Sequence, residues 1–233
     1  MAVTEMVDLA LTVDEVVDLT PSLRSIWLTG AGDAFAYGPG QDVMITVPDG
    51  DATIRRRYTI RRIDERGRIE MWIVLHGHGP GATWANGVQP GDGVVGVGPR
   101  GKVVVVPDRA WHLFVADESG LAASLAMAES ITGATTIVLV EIDGPADEIP
   151  TPVPVTWIHR DGVPAGDNDL MERAVEALPL PDGEGHAYLS TEKDTVKRVA
   201  AILDARGVDA DHRSPKAYWD HSRPNAGHGE PAR

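Results

Sequence analysis

The chain has 233 residues, enough for one large domain or two of ordinary size, and 42% of them are hydrophobic. Its formal net charge of −14 argues against nucleic acid or an anionic membrane surface as a partner. It contains no cysteine, which excludes disulfides and cysteine-held metal clusters, and no apolar stretch approaches the roughly 18 residues of a membrane span.

The first half of the chain predicts β-structure. Short apolar or alternating stretches are separated by Gly, Pro and Asp, and no helix of more than about two turns is predicted between them. The predicted strands lie within residues 13–30, 42–48, 57–63, 68–77 and 93–107. Such a series is typical of an antiparallel β-barrel or sandwich.

Beyond Pro107, predicted strands alternate with predicted helices. The strands lie at 111–117, 135–142, 154–160 and 186–191, the helices at 118–130, 167–178 and 192–207, and a last short strand begins at 216–219. This alternation is typical of a doubly wound parallel sheet. The sequence therefore predicts an α+β protein of two domains. An N-terminal antiparallel β-barrel (1–107) precedes a Rossmann-like parallel α/β domain (108–233) that ends in a polar tail.

Polar and aromatic residues follow the predicted parallel strands, at the edge where such sheets bind ligands. They are Asp117, Glu118, Ser119, Glu141, Asp143, His159, Arg160, Ser190, Thr191, Glu192, Tyr218 and Trp219. A site at this edge is one interpretation, although any such sheet becomes polar where its strands meet solvent. The Ser190-Thr191-Glu192 sequence is most simply a helix start, with Ser190 or Thr191 as the N-cap.

The segment GDGVVG (91–96) has the letters of a dinucleotide-binding fingerprint, which must follow a strand and open a helix. Pro90 precedes it and Gly98-Pro99 follows it, so no helix is expected there. The segment is predicted to be a turn leading into a barrel strand.

The octet RRRYTIRR (55–62) holds five of the chain's 21 Lys and Arg residues, although the whole protein is acidic. Alternate residues of a strand share a face, which gives two sets: Arg56, Tyr58 and Ile60, and Arg57, Thr59 and Arg61. A flavin cofactor with a diphosphate needs positive charge for its phosphates and a flat aromatic face for its ring. The octet suits that ligand, and the alternative is a surface strand with charged ends.

The arginine–tyrosine–threonine order of this octet resembles the R-x-Y-[ST] signature of the ferredoxin–NADP reductase superfamily. The longer form RRYTIR is similar to the siderophore-interacting protein branch, the FAD-containing ferric-siderophore reductases. The resemblance continues through segments 74–85, 89–101, 111–123, 155–160 and 217–219, and covers roughly residues 5–220.

The resemblance implies roles for individual residues around FAD. Arg56 would hold the pyrophosphate, Tyr58 would stack on the isoalloxazine ring, and Thr59 would contact its N5 edge. The other residues implied in cofactor binding are Ile60, Arg61, His76, Gly77, Gly79, Pro80, Gly81, Ala82, Trp84, Asp117 and Ser119. Those implied near the substrate or donor are Arg160 and Glu192, with Tyr218 and Trp219 flanking the flavin or the donor. No catalytic side chain and no metal ligand is assigned, because the flavin carries the chemistry.

Several positions depart from the family pattern. Ala82 stands in place of a phosphate-binding Ser, for which Thr83 or the backbone would substitute. Gly120 and Ala122 replace Ala and Pro, which predicts a more flexible turn, and Asp220 stands where relatives have basic residues. FAD binding therefore carries over from the family better than ferric-siderophore binding does.

The expected activity is an FAD-dependent oxidoreductase that passes electrons from NADPH or NADH through FAD to ferric iron in a siderophore, releasing Fe(II). Three alternatives stay open: a diaphorase-like flavin reductase with another acceptor, a non-catalytic siderophore- or flavin-binding protein, and ferredoxin as the donor. A monomer or weak oligomer is expected. A cytoplasmic location is expected because the N-terminus lacks the basic start and apolar core of a signal peptide.

Overall fold

A computed structural model describes residues 5–32, 35–75, 77 and 79–223. The described chain divides into two compact units, one ending at Val104 and the other beginning at Val105. The division falls close to the boundary predicted after Pro107. Each unit contains one sheet and its own hydrophobic core.

The first unit is a closed antiparallel barrel with the strand order β1-β2-β5-β4-β3-β6. Its strands are β1 (Val7–Asp18), β2 (Leu23–Thr29), β3 (Asp42–Asp49), β4 (Ala52–Ile63), β5 (Ile69–Val74) and β6 (Gly93–Arg100). Alternate residues fill the interior, as Leu9, Leu11 and Val13 of β1 do, because successive side chains of a strand point to opposite faces. The barrel is as predicted, and GDGVVG (91–96) is, as predicted, a turn at Gly91 and Asp92 that leads into β6.

A short helix, α1 (Pro80–Gly87), lies between β5 and β6 and was not predicted. It contains two glycines and a proline, so its propensity is poor, and it depends on packing: Ala85 is buried in the barrel core and Trp84 packs against that core. Near its C-terminal end, Arg24 donates from Nη1 to the Ala85 carbonyl over 2.6 Å.

The apolar segment 102–107 is not a strand, contrary to the prediction. The last barrel strand ends at Arg100. Within the second unit, the Val106 N–H donates to the Tyr188 phenol oxygen over 2.8 Å instead of to a neighbouring strand. An apolar run indicates burial, but it does not specify a backbone partner.

The second unit is a five-stranded parallel sheet with the order β11-β10-β7-β8-β9. Its strands are β7 (Trp111–Asp117), β8 (Thr135–Ile142), β9 (Thr156–His159), β10 (Gly185–Ser190) and β11 (Arg213–Pro215), and its helices are α2 (Leu121–Glu129), α3 (Leu170–Ala177) and α4 (Lys193–Ala205). The chain runs outward from β7 to β9 and then returns to β10 on the other side of β7. The strand order therefore reverses between β7 and β10, and this is the crevice in which doubly wound sheets bind ligands.

The last strand lies three positions before the predicted one. β11 ends at Pro215, and the following residues still bond to β10 or its continuation, with Lys216 N–H donating to the Leu189 carbonyl (2.8 Å) and Tyr218 N–H to that of Thr191 (3.0 Å). Trp219 forms only an isolated bridge, with Glu192. The predicted segment is thus close to the sheet without forming a strand.

Candidate functional site

The arginine-rich octet lies on β4, where it pairs with β3. The register sets Arg56 opposite Ile45 and Tyr58 opposite Val43, and both partners belong to the barrel core. Ile60, two residues further along, is fully buried in the same core. Arg56, Tyr58 and Ile60 thus share one face of the strand, and Arg56 is only 8% exposed despite its charge.

On the other face of β4, arginine side chains form ion pairs with buried carboxylates. Arg62 belongs to this face because a β-bulge between Ile60 and Arg62 interrupts the alternation. Arg57 donates to both oxygens of Asp42, from Nε over 2.9 Å and from Nη2 over 2.5 Å, and Asp42 is 1% exposed. Arg62 donates to Glu70 over 2.6 Å, and the buried Glu70 also accepts from Ser25 and Trp72. Arg57 and Arg62 therefore have a structural role that the sequence pattern did not reveal.

The remaining arginines of the octet differ in their surroundings. The guanidinium carbon of Arg61 lies 4.8 Å from the centroid of the Trp72 ring, a cation–π distance, and Arg61 is buried. Arg55 is exposed. Thr59 is buried and pairs with Asp42 in the β3–β4 ladder.

The first turn of α1 lies against Tyr58 and Arg56. A Cβ atom added at Gly81 would be 2.4 Å from the Tyr58 hydroxyl oxygen and 3.6 Å from Cγ of Arg56, so only glycine permits this approach. Burial raises the pKa of Tyr58 well above its ordinary value, which keeps the phenol neutral. The Trp84 ring lies 6.2 Å from the Tyr58 ring, inclined by 30°.

The N-terminus of α1 carries no side-chain cap. The first intrahelical bond runs from Thr83 N–H to the Gly79 carbonyl over 2.9 Å, so the N–H groups of Gly81 and Ala82 precede it. The Arg56 side chain passes close to this helix start, with its Cγ 3.6 Å from a Cβ placed at Gly81, and its Nη1 donates to the Arg55 carbonyl over 3.0 Å. N–H groups at a helix start together with a nearby arginine form a donor set suited to an anion. With a half-buried aromatic ring next to them, these residues fit the diphosphate and the ring system of FAD.

Two more predicted cofactor residues precede this helix. Gly77 has a φ of 86°, in the left-handed region that favours glycine, and this allows the chain to turn between β5 and α1. The prediction for His76 lies outside the described residues.

In the second unit, the Asp117 carboxylate joins three segments at the reversal point between β7 and β10. Its Oδ1 accepts from Ser119 N–H (2.8 Å), Ser119 Oγ (2.5 Å) and Gly120 N–H (3.3 Å). Its Oδ2 accepts from Thr191 Oγ1 (2.8 Å) and Trp219 Nε1 (2.7 Å). Asp117 thus holds the ends of β7 and β10 and the C-terminal segment in place. A direct contact of Asp117 or Ser119 with the cofactor stays a prediction.

The turn after β7 is tightly packed. A Cβ atom at Gly120 would lie 1.9 Å from the Ser190 carbonyl oxygen, and Gly120 is buried. Gly at this position therefore accommodates a close approach between the two strand ends, and the expectation of a more flexible turn stays a prediction.

Glu192 forms the N-cap of α4. Its Oε2 accepts from Asp194 N–H (2.5 Å) and Thr195 N–H (2.9 Å). The cap is therefore neither Ser190 nor Thr191, contrary to the prediction, because the Thr191 hydroxyl donates to Asp117 instead. A contact of Glu192 with substrate or donor stays a prediction, and one oxygen of its carboxylate is occupied by the helix.

Arg160 is buried between two glutamates. It donates to Glu118 from Nη1 (3.1 Å) and Nη2 (2.5 Å), and its Nη1 lies 3.6 Å from Glu141, which also accepts from Asn168. Burial raises the pKa of both glutamates, and the Arg160 guanidinium opposes this effect. The predicted contact of Arg160 with substrate or donor stays a prediction that would require this ion pair to open.

The C-terminal aromatic residues lie near the same edge. Tyr218 and Trp219 are half-buried, and the Lys216 ammonium lies 4.8 Å from the centroid of the Tyr218 ring. Asp220, which stands where the family has basic residues, pairs with Lys193 over 2.7 Å. The hydrogen bonds from Lys193 and Ser222 lower the pKa of Asp220 to about 2, so it is a carboxylate at neutral pH.

Within the part of the chain that the structure describes, no group of three or more His, Cys, Asp and Glu residues could hold a metal ion. None of the helices described is both long enough and apolar enough to cross a membrane.

Two family models match this chain. Residues 35–103 match the model described as siderophore-interacting FAD-binding domain, and residues 109–222 match the model described as siderophore-interacting protein. The matches together extend over most of both units.

Relatives of this chain include characterised and uncharacterised proteins. An uncharacterised protein of Mycobacterium tuberculosis is 35% identical over 185 residues, which is 72% of this chain and 65% of the relative's own length. The NADPH-dependent ferric-chelate reductase of Escherichia coli is 26% identical over 185 residues, 75% of this chain and 70% of that protein. The crystal structure of a siderophore utilization protein from T. fusca has a TM-score of 0.87 and 27% identity, and the match covers 96% of each chain. The chain belongs to the siderophore-interacting protein family.

Proposed function

We propose that the protein is an FAD-dependent oxidoreductase that transfers electrons from a nicotinamide dinucleotide to ferric iron in a siderophore, releasing Fe(II). The observation that carries this proposal is the meeting of Arg56, Tyr58 and the uncapped start of α1 in a segment that matches an FAD-binding domain. The name of the Escherichia coli relative, a ferric-chelate reductase, supports the same reaction.

The barrel residues would bind and orient the cofactor. Arg56 and the N–H groups of Gly81 and Ala82 would hold the diphosphate, and Tyr58 would lie against the ring. Thr59 would face the N5 edge. The remaining assigned residues would complete the site by shaping the turn and its surroundings: Ile60, Arg61, His76, Gly77, Gly79, Pro80 and Trp84. When bound, FAD accepts two electrons together and releases them one at a time.

The second unit would admit the donor at the carboxyl ends of its strands. Asp117 would keep Ser119, Thr191 and Trp219 in position there, through the hydrogen bonds described above. Tyr218 and Trp219 would flank the flavin or the donor. One NAD(P)H becomes NAD(P)⁺ and supplies two electrons, so it reduces two Fe(III) ions to Fe(II).

The acceptor would be ferric iron held by hard oxygen ligands. Reduction to Fe(II) weakens the hold of such ligands, and this step needs no general acid or base from the protein. The absence of a need for proton transfer agrees with the residues of this site, which would bind and orient the cofactor. We also propose a cytoplasmic monomer or weak oligomer, because a cysteine-free protein using a nicotinamide donor suits that compartment.

The decisive experiment is anaerobic spectroscopy followed by iron reduction. We expect purified protein to be yellow, to release FAD on denaturation, and to be bleached by NADH or NADPH. Adding a ferric siderophore should restore the oxidised spectrum, and an Fe(II)-specific chelator should report two Fe(II) per donor. A folded protein that stays colourless after incubation with excess FAD would refute the proposal.

Other outcomes would select an alternative function. Rapid turnover of quinone dyes without reduction of any ferric chelate would indicate a diaphorase-like flavin reductase. Bleaching by reduced ferredoxin but by neither dinucleotide would identify ferredoxin as the donor. Bound flavin that none of these donors reduces would indicate a non-catalytic flavin- or siderophore-binding protein.

A further inference from the structure

The edge of the parallel sheet at the ends of β8 and β9 has a charge pattern that bears on which dinucleotide can bind. In doubly wound sheets a dinucleotide lies across the point of reversal, here between β7 and β10. In sheets whose first turn carries the glycine fingerprint G-x-G-x-x-G, a carboxylate about 20 residues further on accepts from the ribose 2′-hydroxyl of NAD, whereas an arginine accommodates the 2′-phosphate of NADP. The turn after β7 here is Asp117-Glu118-Ser119-Gly120 and lacks that fingerprint, so only the position after the second strand of the sheet is shared. Asp143 follows β8 at about this distance from the turn at Ser119-Gly120.

Two exposed aspartates lie on neighbouring turns at this edge. Asp143 follows β8, and Asp161 follows β9 after Arg160. The Asp161 N–H donates to the Asp143 carbonyl over 2.8 Å, which joins the two turns. Both side chains are exposed, so a ligand at this edge meets negative charge.

The arginine nearest to these carboxylates in sequence is already neutralised. Arg160 is 6% exposed and donates through both terminal nitrogens to Glu118, and Glu141 lies 3.6 Å away. Two carboxylates thus surround one guanidinium. The neighbouring His159 is 2.9 Å from Glu148, so its ring also faces an acidic group.

We propose that Asp143 and Asp161 make this edge selective for NADH over NADPH. Asp143 accepts a hydrogen bond from the 2′-hydroxyl of the adenosine ribose, and both aspartates repel a 2′-phosphate. The inference rests on the proposed function, because it requires a nicotinamide donor. It distinguishes this chain from the Escherichia coli relative, whose name specifies NADPH.

The test is the binding of NAD⁺ and NADP⁺ to the FAD-loaded protein, measured by isothermal titration calorimetry without turnover. In water, the repulsion between two unit charges about 6 Å apart lowers a binding affinity roughly threefold, and the 2′-phosphate carries almost two charges. We therefore expect NAD⁺ to bind at least ~10-fold more tightly than NADP⁺ at low ionic strength, and less selectively at high salt.

Variants identify the residues responsible. Asp143→Asn and Asp161→Asn should each strengthen NADP⁺ binding by ~3–10-fold, and Asp143→Asn should also weaken NAD⁺ binding by several-fold. Asn suits the φ of 52° at residue 161, so neither change should disturb the fold. The control is Asp182→Asn, which removes the same charge from an exposed residue before β10, at the opposite edge of the sheet, and should leave both affinities unchanged.

Three results would overturn the inference. The parent protein could bind NADP⁺ as tightly as NAD⁺ or more tightly, or it could bind neither dinucleotide. The ratio of the two affinities could also stay the same in Asp143→Asn and in Asp161→Asn. Anaerobic flavin reduction separates this failure from failure of the proposed function. If NADPH bleaches the flavin better than NADH and ferric chelates are then reduced, the proposed function stands and the selectivity is wrong. If no donor reduces the flavin, the proposed function fails as well.

Discussion

At the scale of single residues, the arginines of the β4 octet have different tasks. Arg56 lies beside Tyr58 and the start of α1, whereas Arg57 balances the buried Asp42 and Arg62 the buried Glu70. Arg55 is exposed. A cluster that looks uniform in the sequence therefore combines a proposed cofactor contact with ion pairs that stabilise the barrel.

The first prediction compares two neighbouring arginines. Arg56→Ala should weaken FAD binding by about 1.5–3 kcal/mol, roughly 10- to 150-fold, because charge-assisted hydrogen bonds to the diphosphate are lost. Arg55→Ala, on an exposed side chain, should change the affinity less than about threefold. Flavin fluorescence quenching during titration of the apoprotein measures both, and equal losses would contradict the assigned strand face.

The second prediction concerns the ion pair behind that face. Arg57→Ala leaves the carboxylate of Asp42 buried without its bidentate partner, so the free energy of unfolding should fall by about 2–4 kcal/mol. Urea denaturation measures this change. FAD affinity of the folded variant should stay close to that of the parent protein. A stable variant with greatly weakened FAD binding would show that Arg57 contacts the cofactor instead.

At the scale of elements, α1 depends on a glycine for its position. Gly81→Ala should raise intrinsic helix propensity by about 1 kcal/mol, yet the new Cβ would lie 2.4 Å from the Tyr58 hydroxyl oxygen. We expect the clash to displace Tyr58 or the helix start and to weaken FAD binding by at least ~10-fold, since both contacts proposed for the cofactor shift together.

The matched control lies at the other end of the same helix. A Cβ at Gly87 would meet nothing within 4 Å, so Gly87→Ala should leave FAD affinity unchanged. Calorimetric titration of both variants with FAD, alongside their circular dichroism spectra, measures the difference. Full FAD affinity in a folded Gly81→Ala variant would exclude the proposed role of the first turn.

Element types followed from the sequence more readily than their contacts. The buried runs of β7 and β8 were predicted from their hydrophobicity. The first half of β1 was missed, because the predicted segment began at residue 13 whereas the strand begins at Val7 and its alternating buried residues are Leu9, Leu11 and Val13. α1 was missed because a short helix with Gly and Pro has a weak periodic signal. The run 102–107 was assigned wrongly because hydrophobicity does not identify a hydrogen-bonding partner. The polar edge of the sheet was predicted, but two donors to Asp117, Thr191 and Trp219, lie 74 and 102 residues away in sequence, and only the fold brings them together.

At the scale of the whole molecule, stability should depend on pH through two buried histidines. His112 and His186 are paired on β7 and β10 and are each 3% exposed. Burial, with a contribution from the Arg109 charge, lowers the pKa of His112 and lowers that of His186 to about 4. Both histidines are therefore neutral in the folded protein at neutral pH.

The sign of the effect follows from proton uptake. In the unfolded chain a histidine takes up a proton near pH 6.5, whereas folded His186 does so only near pH 4. The unfolded state therefore binds more protons across this interval, and we expect the melting temperature to fall as the pH decreases from 7 to 5. The exposed His212 acts in the opposite direction, because Glu184 and Asp209 raise its pKa.

A variant isolates the buried histidine from other titrating groups. His186→Gln keeps a hydrogen-bonding group near Ser214, to which the His186 Nε2 is 2.8 Å, but cannot be protonated. Its melting temperature should fall less between pH 7 and pH 5 than that of the parent protein, measured by calorimetry at both values. An identical pH dependence in both proteins would exclude His186 as a source of acid sensitivity.

The hydrogen bond from the Trp219 indole to Asp117 has a consequence for shortening or tagging this protein. A version ending ahead of Trp219 would lose one of the five donors to a buried carboxylate, even though it retained every strand and helix of the second unit. The energetic penalty of such a deletion would arise at the crevice between β7 and β10 rather than at the new terminus. Because the chain has six tryptophans, the difference in indole emission between the parent protein and a Trp219→Phe variant would report whether that crevice is assembled.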